Sequence, residues 1–193
     1  MQYSWRKYYE KTKNNPPRPL LVKALTHVSD CGSALDVGAG ALVDSRYLLE
    51  EGFTAVTAFD ADETSRELAA AISDERFFFY KQSFTEFQYV KEAYDLVTGQ
   101  YAFSFMSVKD FDQVFQQILD SIKVGGIVTG NIFGDRDGWN NGDGTKTFLT
   151  KEDCQLLFSD WEILLFNEVE RDDETALGVP KHWHEFEIIA RKQ

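Results

Sequence analysis

The residues with the clearest chemical meaning are two glycines and an aspartate. Gly38 and Gly40 stand in the segment ALDVGAGALVDSRYL, residues 34–48, where an apolar run gives way to a helical pattern. Two missing Cβ atoms in a strand-to-helix turn let the backbone approach a ligand, with free N–H groups at the helix N-terminus. Asp60 follows 20 residues after Gly40, at the end of the next apolar run. A carboxylate there can accept both hydroxyls of an adenosine ribose, a neutral diol that wants two acceptors. Glycines in such a turn also occur for packing alone; the acid at the matching strand end is what favours a nucleotide. The last position of a dinucleotide GxGxxG fingerprint is Val43 here. That disfavours a nicotinamide cofactor and leaves an adenosine ligand without a pyrophosphate.

A second group of residues could face a substrate: Tyr101, Phe103, Arg136, Trp139, His182 and His184. Tyr101 and Phe103 follow the fourth apolar run, where simple packing is an equal reading. Arg136 and Trp139 belong to a Gly-, Asn- and Asp-rich stretch over 134–147, either a lid or a solvated excursion. Its DRDGWNNGDG has the look of a calcium loop, but it lacks the spaced glutamate and the preceding helix, so no metal is expected. A period of two puts His182, His184 and Phe186 on one strand face and Trp183, Glu185 and Glu187 on the other. Such a histidine pair could serve as a base or bind a metal; an edge-strand or solvent-side pair is the plainer reading. Near the N-terminus Trp5, Tyr8 and Tyr9 make an aromatic stripe at helical spacing. Arg18, held among Pro16, Pro17 and Pro19, could reach a carboxylate on the bound ligand or on an anionic substrate.

The elements that must position these residues alternate. A helix from Ser4 is stopped by the prolines, and a second runs over Leu20–Val28. Strands are expected at Ser33–Val37, Thr54–Phe59, Phe77–Tyr80, Asp95–Thr98 and Ile127–Phe133. Helices are expected at Asp44–Glu51, Glu63–Ile72 and Phe111–Ile122, with Gly125–Gly126 as a turn before the fifth strand. A helix at Thr150–Phe158, capped by Thr150, precedes two closing strands, Ile163–Phe166 and Phe186–Ala190. The pattern predicts an α/β fold: a doubly wound, mostly parallel seven-stranded sheet, Rossmann-like, with an antiparallel strand pair at one edge. Ligands of such sheets lie beyond the carboxyl ends of the strands.

Composition sets bounds on function. Of 193 residues, 32 are acidic and 20 are Lys or Arg, a net charge of −12. Nucleic acid and anionic membrane are unattractive partners for such a surface. An apolar content of 43% with 15% aromatics supports a packed core. Cys31 and Cys154 form no CxxC pair and read as ordinary thiols of a reducing compartment. The N-terminal MQYSWRKYYEK has no apolar centre, so it reads as no signal peptide, and no apolar run approaches the ~20 residues of a membrane helix. A cytoplasmic location is the default expectation.

Ala34–Leu48 resembles motif I of the class I S-adenosylmethionine-dependent methyltransferases, DxGxGxG, with Asp36, Gly38 and Gly40 in place and Leu42 where a third glycine is usual. Thr57–Asp60 is similar to the family's second-strand acid motif, Ser83–Phe84 to its adenine cap, and Asp95–Val97 to its fourth-strand motif. The resemblance covers about residues 20 to 190. Within the family, the short length and the DSRYL helix resemble small-molecule methyltransferases of the tellurite-resistance type. The resemblance implies S-adenosyl-L-methionine as cofactor and a set of roles. Asp36 would orient the loop or receive the methionine ammonium through water. Gly38, Ala39 and Gly40 would pack on methionine and ribose. Asp60 would hold the ribose, Ala61 would stack on adenine, and Ser83 and Phe84 would meet its edge and face. The Gln100 backbone and Tyr101 would line the methionine side. Residues 1–19 would form a lid, with aromatic rings shielding the sulfonium, over a methyltransferase domain at 20–193. The expected reaction is in-line methyl transfer to a small-molecule acceptor, with no nucleic-acid or membrane partner and no obligatory acid–base pair. GQYA stands where base-amino methyltransferases carry (N/D)PP(Y/F). Methylation of a protein or nucleic acid, and a catalytically silent cofactor-binding protein, are the alternatives.

Overall fold

The computed structural model describes residues 4–193. The first three residues of the 1–19 segment therefore lie outside the described residues. Helix α1 spans Trp5–Thr12; the Ser4 side chain caps it by accepting from the Lys7 N–H. Helix α2, Pro19–Leu25, starts on a proline in its first turn, where the missing N–H costs nothing. It ends three residues before Val28, as the N–H groups of His27 and Val28 turn back to Ala24 and Leu25.

Strand β1 is Ser33–Val37, followed by α3, Val43–Glu50, then β2, Ala55–Asp60, and α4, Glu63–Ala69. Strand β3 is Phe77–Lys81 and β4 is Tyr94–Gly99; a single 3-10 turn at Phe103–Phe105 leads to α5, Val108–Asp120. Strand β5, Ile122–Phe133, begins five residues earlier than its apolar run. Gly125 and Gly126 are not a plain turn but part of an irregular start to that strand, where the pairing with β4 shifts register. Helix α6 is Lys151–Leu156, with the Thr150 hydroxyl accepting from the Asp153 N–H.

The largest departure from the sequence pattern is at the end. Strands β6, Trp161–Glu174, and β7, Pro180–Lys192, are paired from Trp161↔Lys192 to Glu174↔Pro180. The short apolar runs mark only the part of this ribbon that covers the core. The remainder is polar on one side, which hides it from an apolar search.

The sheet order is β3-β2-β1-β4-β5-β7-β6. Strands β1 to β5 run parallel, while β7 is antiparallel to both β5 and β6. The chain leaves β1 toward β2 and returns to β4 on the other side, so the switch point lies at the carboxyl ends of β1 and β4. Alternation sends neighbouring residues to opposite faces. Ala34, Val56, Leu96, Ile127 and Ile189 pack on Leu21, Ala24 and Leu48. Leu35, Val97, Val128 and Ile188 pack with Phe111, Phe115 and Ile118. Among the described residues no helix is long and apolar enough to cross a membrane.

Candidate active site

A cavity of about 620 Å³ opens at the switch point. On one side, the turn after β1 bends with Gly38 at φ +63° and Gly40 at φ +53°. A Cβ on Gly38 would stand 2.9 Å from the Ala102 methyl, and one on Gly40 would stand 2.9 Å from the Tyr9 ring. Both glycines are thus required by conformation and by space. Leu42 also has a left-handed backbone, φ +59°, and is fully buried in a cluster with Ala58 and Ala69. A glycine would meet this backbone without strain. Here a buried leucine side chain offsets the strain, about 1–2 kcal/mol.

Asp60 closes this half. Its Oδ2 accepts the Gly40 N–H at 2.9 Å and its Oδ1 accepts the Asp62 N–H at 2.8 Å. The Tyr9 hydroxyl from α1 reaches both oxygens, at 3.3 and 3.4 Å. Burial raises the Asp60 carboxyl above its usual range, and the two backbone donors oppose that. Asp36 accepts from the Ser45 hydroxyl at 2.6 Å, and Asp44 accepts from the Arg18 N–H at 3.1 Å. Burial, and next the neighbouring Asp44, push the Asp36 carboxyl up. Ala61 flanks Asp60 on the cavity wall, with Ser83 and Phe84 beyond it, and Arg18, Ala39, Gln100 and Tyr101 complete this side.

The raised carboxyl at Asp36 has a measurable sign. Such a group leaves stability intact below its unfolded pKa and withdraws it as pH rises toward the folded one. Asp36→Asn is expected to melt like wild type near pH 4 and at least about 2 °C higher at pH 8. A difference that stays flat from pH 4 to 8 in thermal unfolding would contradict the assignment.

The other half of the cavity is aromatic: Trp5 and Tyr8 of α1, Phe105, Phe133, Trp139 and Trp183, with Arg171 beside them. Trp5 stacks on Tyr9 at 5.7 Å and meets Phe105 edge-on at 5.1 Å. The Tyr101 hydroxyl donates to Glu185 at 3.2 Å, and Arg171 binds the same carboxylate oxygen at 2.8 Å.

Four expected substrate contacts lie elsewhere. Phe103 is core, wedged against Gly99 and Gly130, where any Cβ would clash with its ring. Arg136 faces the opposite side of the β6–β7 ribbon, bound to Glu168 at 2.9 Å and Glu170 at 2.8 Å. His182 lies on that same side, against Asp172 at 2.8 Å and Glu170 at 3.1 Å. His184 is fully buried, accepting the Arg136 N–H at Nδ1 with Glu168 3.1 Å from Nε2. The alternation of β7 was legible, but β7 is an interior strand, and its Trp183–Glu185 face is the one turned to the cavity. Arg136→Ala is accordingly expected to change cofactor affinity less than twofold and to shift Tm little, since exposed ion pairs contribute about 0–1 kcal/mol. A tenfold affinity loss by calorimetry would place it in the site after all.

Trp139 does line the cavity, packed on Phe133 and Trp183 at 5.7 Å each. Its loop is pinned: the Asp137 carboxylate, inaccessible to solvent, takes the Lys181 ammonium at 2.6 Å and the Trp139 N–H at 2.9 Å. Phe105, Phe133, Arg171 and Trp183 were not anticipated. Arg171 and Trp183 lie in the polar extension of the ribbon, and Phe133 is the last residue of β5.

This sheet order, with a glycine cradle after β1 and an acid after β2, is the fold seen in solved S-adenosylmethionine-dependent methyltransferases. Residues 34–126 match the family model described as a methyltransferase domain. No curated protein sequence matches the chain significantly. The crystal structure of TehB from Haemophilus influenzae is similar with a TM-score of 0.79 at 20% identity, over 96% of this chain and 66% of that one. The chain thus spans just under two thirds of TehB. The 1,6-didemethyltoxoflavin-N1-methyltransferase of Burkholderia thailandensis, solved with its substrate and S-adenosylhomocysteine, has a TM-score of 0.70 at 17% identity, over 100% of this chain and 92% of that one. A methyltransferase solved with the Trm112 activator of Haloferax volcanii has a TM-score of 0.72 at 14% identity, over 97% and 93%. At these identities the likeness is one of fold.

Proposed function

We propose that this chain methylates a small molecule in the cavity between the glycine cradle and the β6–β7 ribbon. The observation that carries the reading is the cavity's division into two halves. One holds a glycine cradle beside buried carboxylates; the other, directly adjoining, is an aromatic chamber. Asp60 fits a ribose, because a carboxylate held in place by two backbone donors lines the cavity. Gly38 and Gly40 fit a ligand held against bare backbone. Bound S-adenosylmethionine supplies a sulfonium methyl: the acceptor's lone pair bonds to that carbon, and the carbon–sulfur pair returns to sulfur.

The chain's part is to bind, align and exclude water. Asp60 holds the ribose and Ala61, Ser83 and Phe84 the adenine. Asp44 and Asp60 give the cofactor half a negative character that suits a ligand bearing an ammonium and a sulfonium, with Asp36 beside them as a buried polar group. Arg18 stands at the junction, suited to the cofactor's carboxylate or to an anionic substituent on the acceptor. Residues 4–19 act as the lid, with Trp5 and Tyr9 over the reacting centre. Tyr101, Trp139 and Trp183 hold the acceptor. A small acceptor suits the didemethyltoxoflavin enzyme's likeness, and a cytoplasmic setting suits the acidic surface and free thiols.

Calorimetric titration tests the reading. S-adenosylmethionine and S-adenosylhomocysteine should bind and NAD should not. Methyl transfer from labelled cofactor should follow with small thiols, hydroxyls or heteroaromatics and not with oligonucleotides or proteins. Absence of cofactor binding would end the proposal, and binding without transfer to any acceptor would favour a silent binding protein.

A further inference from the structure

The aromatic chamber has the composition of a cation cage, yet cations already stand against its rings. The Lys181 ammonium lies 3.4 Å from the Trp183 ring centre, 4.3 Å from Trp139 and 4.7 Å from Phe133. Its side chain is 2% exposed and is not part of the cavity surface, so it backs the rings from behind. Arg171 lies 5.6 Å from the Trp183 ring, Arg18 is 5.1 Å from Tyr101 and Lys146 is 5.9 Å from Phe105. The negative face of a ring is what attracts a cation, and a cation already on it spends that attraction.

The carboxylates paired with Lys181 and Arg171 do not line the cavity. Asp137 sits with Lys181, fully buried, and Glu185 sits behind Tyr101 and Arg171 at 1% exposure. Glu174 lines the cavity where the ribbon turns and is exposed. Among the described residues Arg18 has no carboxylate at ion-pair distance; its guanidinium donates to the Tyr8 hydroxyl at 3.0 Å. The chamber therefore presents flat apolar walls whose polarity is shifted toward positive.

Resting on the methyl-transfer reading, we propose that the acceptor is a flat aromatic ring bound as its anion, a phenolate, thiolate or deprotonated ring nitrogen, and that cationic acceptors are refused. Lys181 is the specificity-determining residue, acting through Trp139 and Trp183. Such an acceptor releases its proton to water before binding, so the chamber needs no base.

The test uses the full chain saturated with S-adenosylhomocysteine and three probes on one ring system: 2-naphthoate, 2-naphthalenemethanol and trimethyl-2-naphthylammonium. By calorimetry the anion is expected to bind at least about tenfold tighter than the cation, with the alcohol between. The double substitution Lys181→Met with Asp137→Asn, close in shape and uncharged, should cut that ratio at least about threefold. Its titration with S-adenosylhomocysteine reports that it is folded. Should it fail to fold, Lys146→Met, which removes only the charge over Phe105, should still lower the ratio. A cation that binds as tightly as the anion, three probes that all fail to bind, or a ratio unmoved in the folded variants would each overturn the proposal. Failure of S-adenosylhomocysteine to bind at all would instead sink the methyl-transfer reading beneath it.

Discussion

Asp60→Ala is expected to weaken S-adenosylhomocysteine binding by at least about 100-fold. A hydrogen bond to a charged acceptor is worth about 1.5–3 kcal/mol, and a ribose diol makes two of them, so 100-fold is the lower end. Asp60→Asn keeps one acceptor oxygen and should lose about tenfold. The carboxylate is well placed for this part, because Gly40 and Asp62 donate to it and fix its plane. The Tyr9 hydroxyl shares both oxygens but at 3.3 and 3.4 Å, beyond the usual hydroxyl range. It can give way to a closer donor pair, so Tyr9→Phe should stay within about threefold of wild type. Burial already disfavours the ionised Asp60, so the alanine variant is expected to fold. Calorimetry beside thermal unfolding distinguishes lost binding from lost fold. A folded Asp60→Ala protein with unchanged affinity would remove the ribose assignment.

Asp137→Ala carries the largest expected effect on stability. Its carboxylate accepts from Lys181, from the Trp139 N–H and from the His184 N–H at 3.2 Å. Removing one partner of a buried pair leaves an uncompensated ammonium, which costs about 3–5 kcal/mol. For a chain of this length that corresponds to a Tm lower by roughly 6–20 °C. The same change frees the 134–147 loop and with it Trp139, so acceptor KM should rise while cofactor affinity stays near wild type in whatever fraction is folded. The neutral double variant at 137 and 181 should recover much of the lost Tm, since no charge is then stranded. A single alanine variant that melts within 2 °C of wild type would show that the pair is hydrated rather than buried.

The two halves of the cavity differ in how far the sequence discloses them. Each residue proposed for the cofactor side follows a strand within a few positions: Gly38 after β1, Asp60 closing β2, Ser83 after β3, Gln100 after β4. A parallel sheet brings all its carboxyl ends to one edge, so knowing where strands stop is enough to gather these groups. The acceptor half obeys no such rule. Asp137 and Lys181 are 44 residues apart, and Glu185 and Tyr101 are 84 apart. Arg136 looked free in its polar loop until Glu168 and Glu170 on β6 claimed it.

What the sequence determined by itself is the alternating strand order, the glycine cradle and the acid across from it, because these depend on local periodicity and on backbone that only certain residues tolerate. What the tertiary structure alone decided is which side of β7 meets the cavity. Insertion between β5 and β6 buries both faces, so polarity along the strand no longer reports its outside. The side that turned inward carries Trp183 and Glu185. It closes over a lysine from its own strand, and that placement makes the chamber's walls aromatic and sets an ammonium against them.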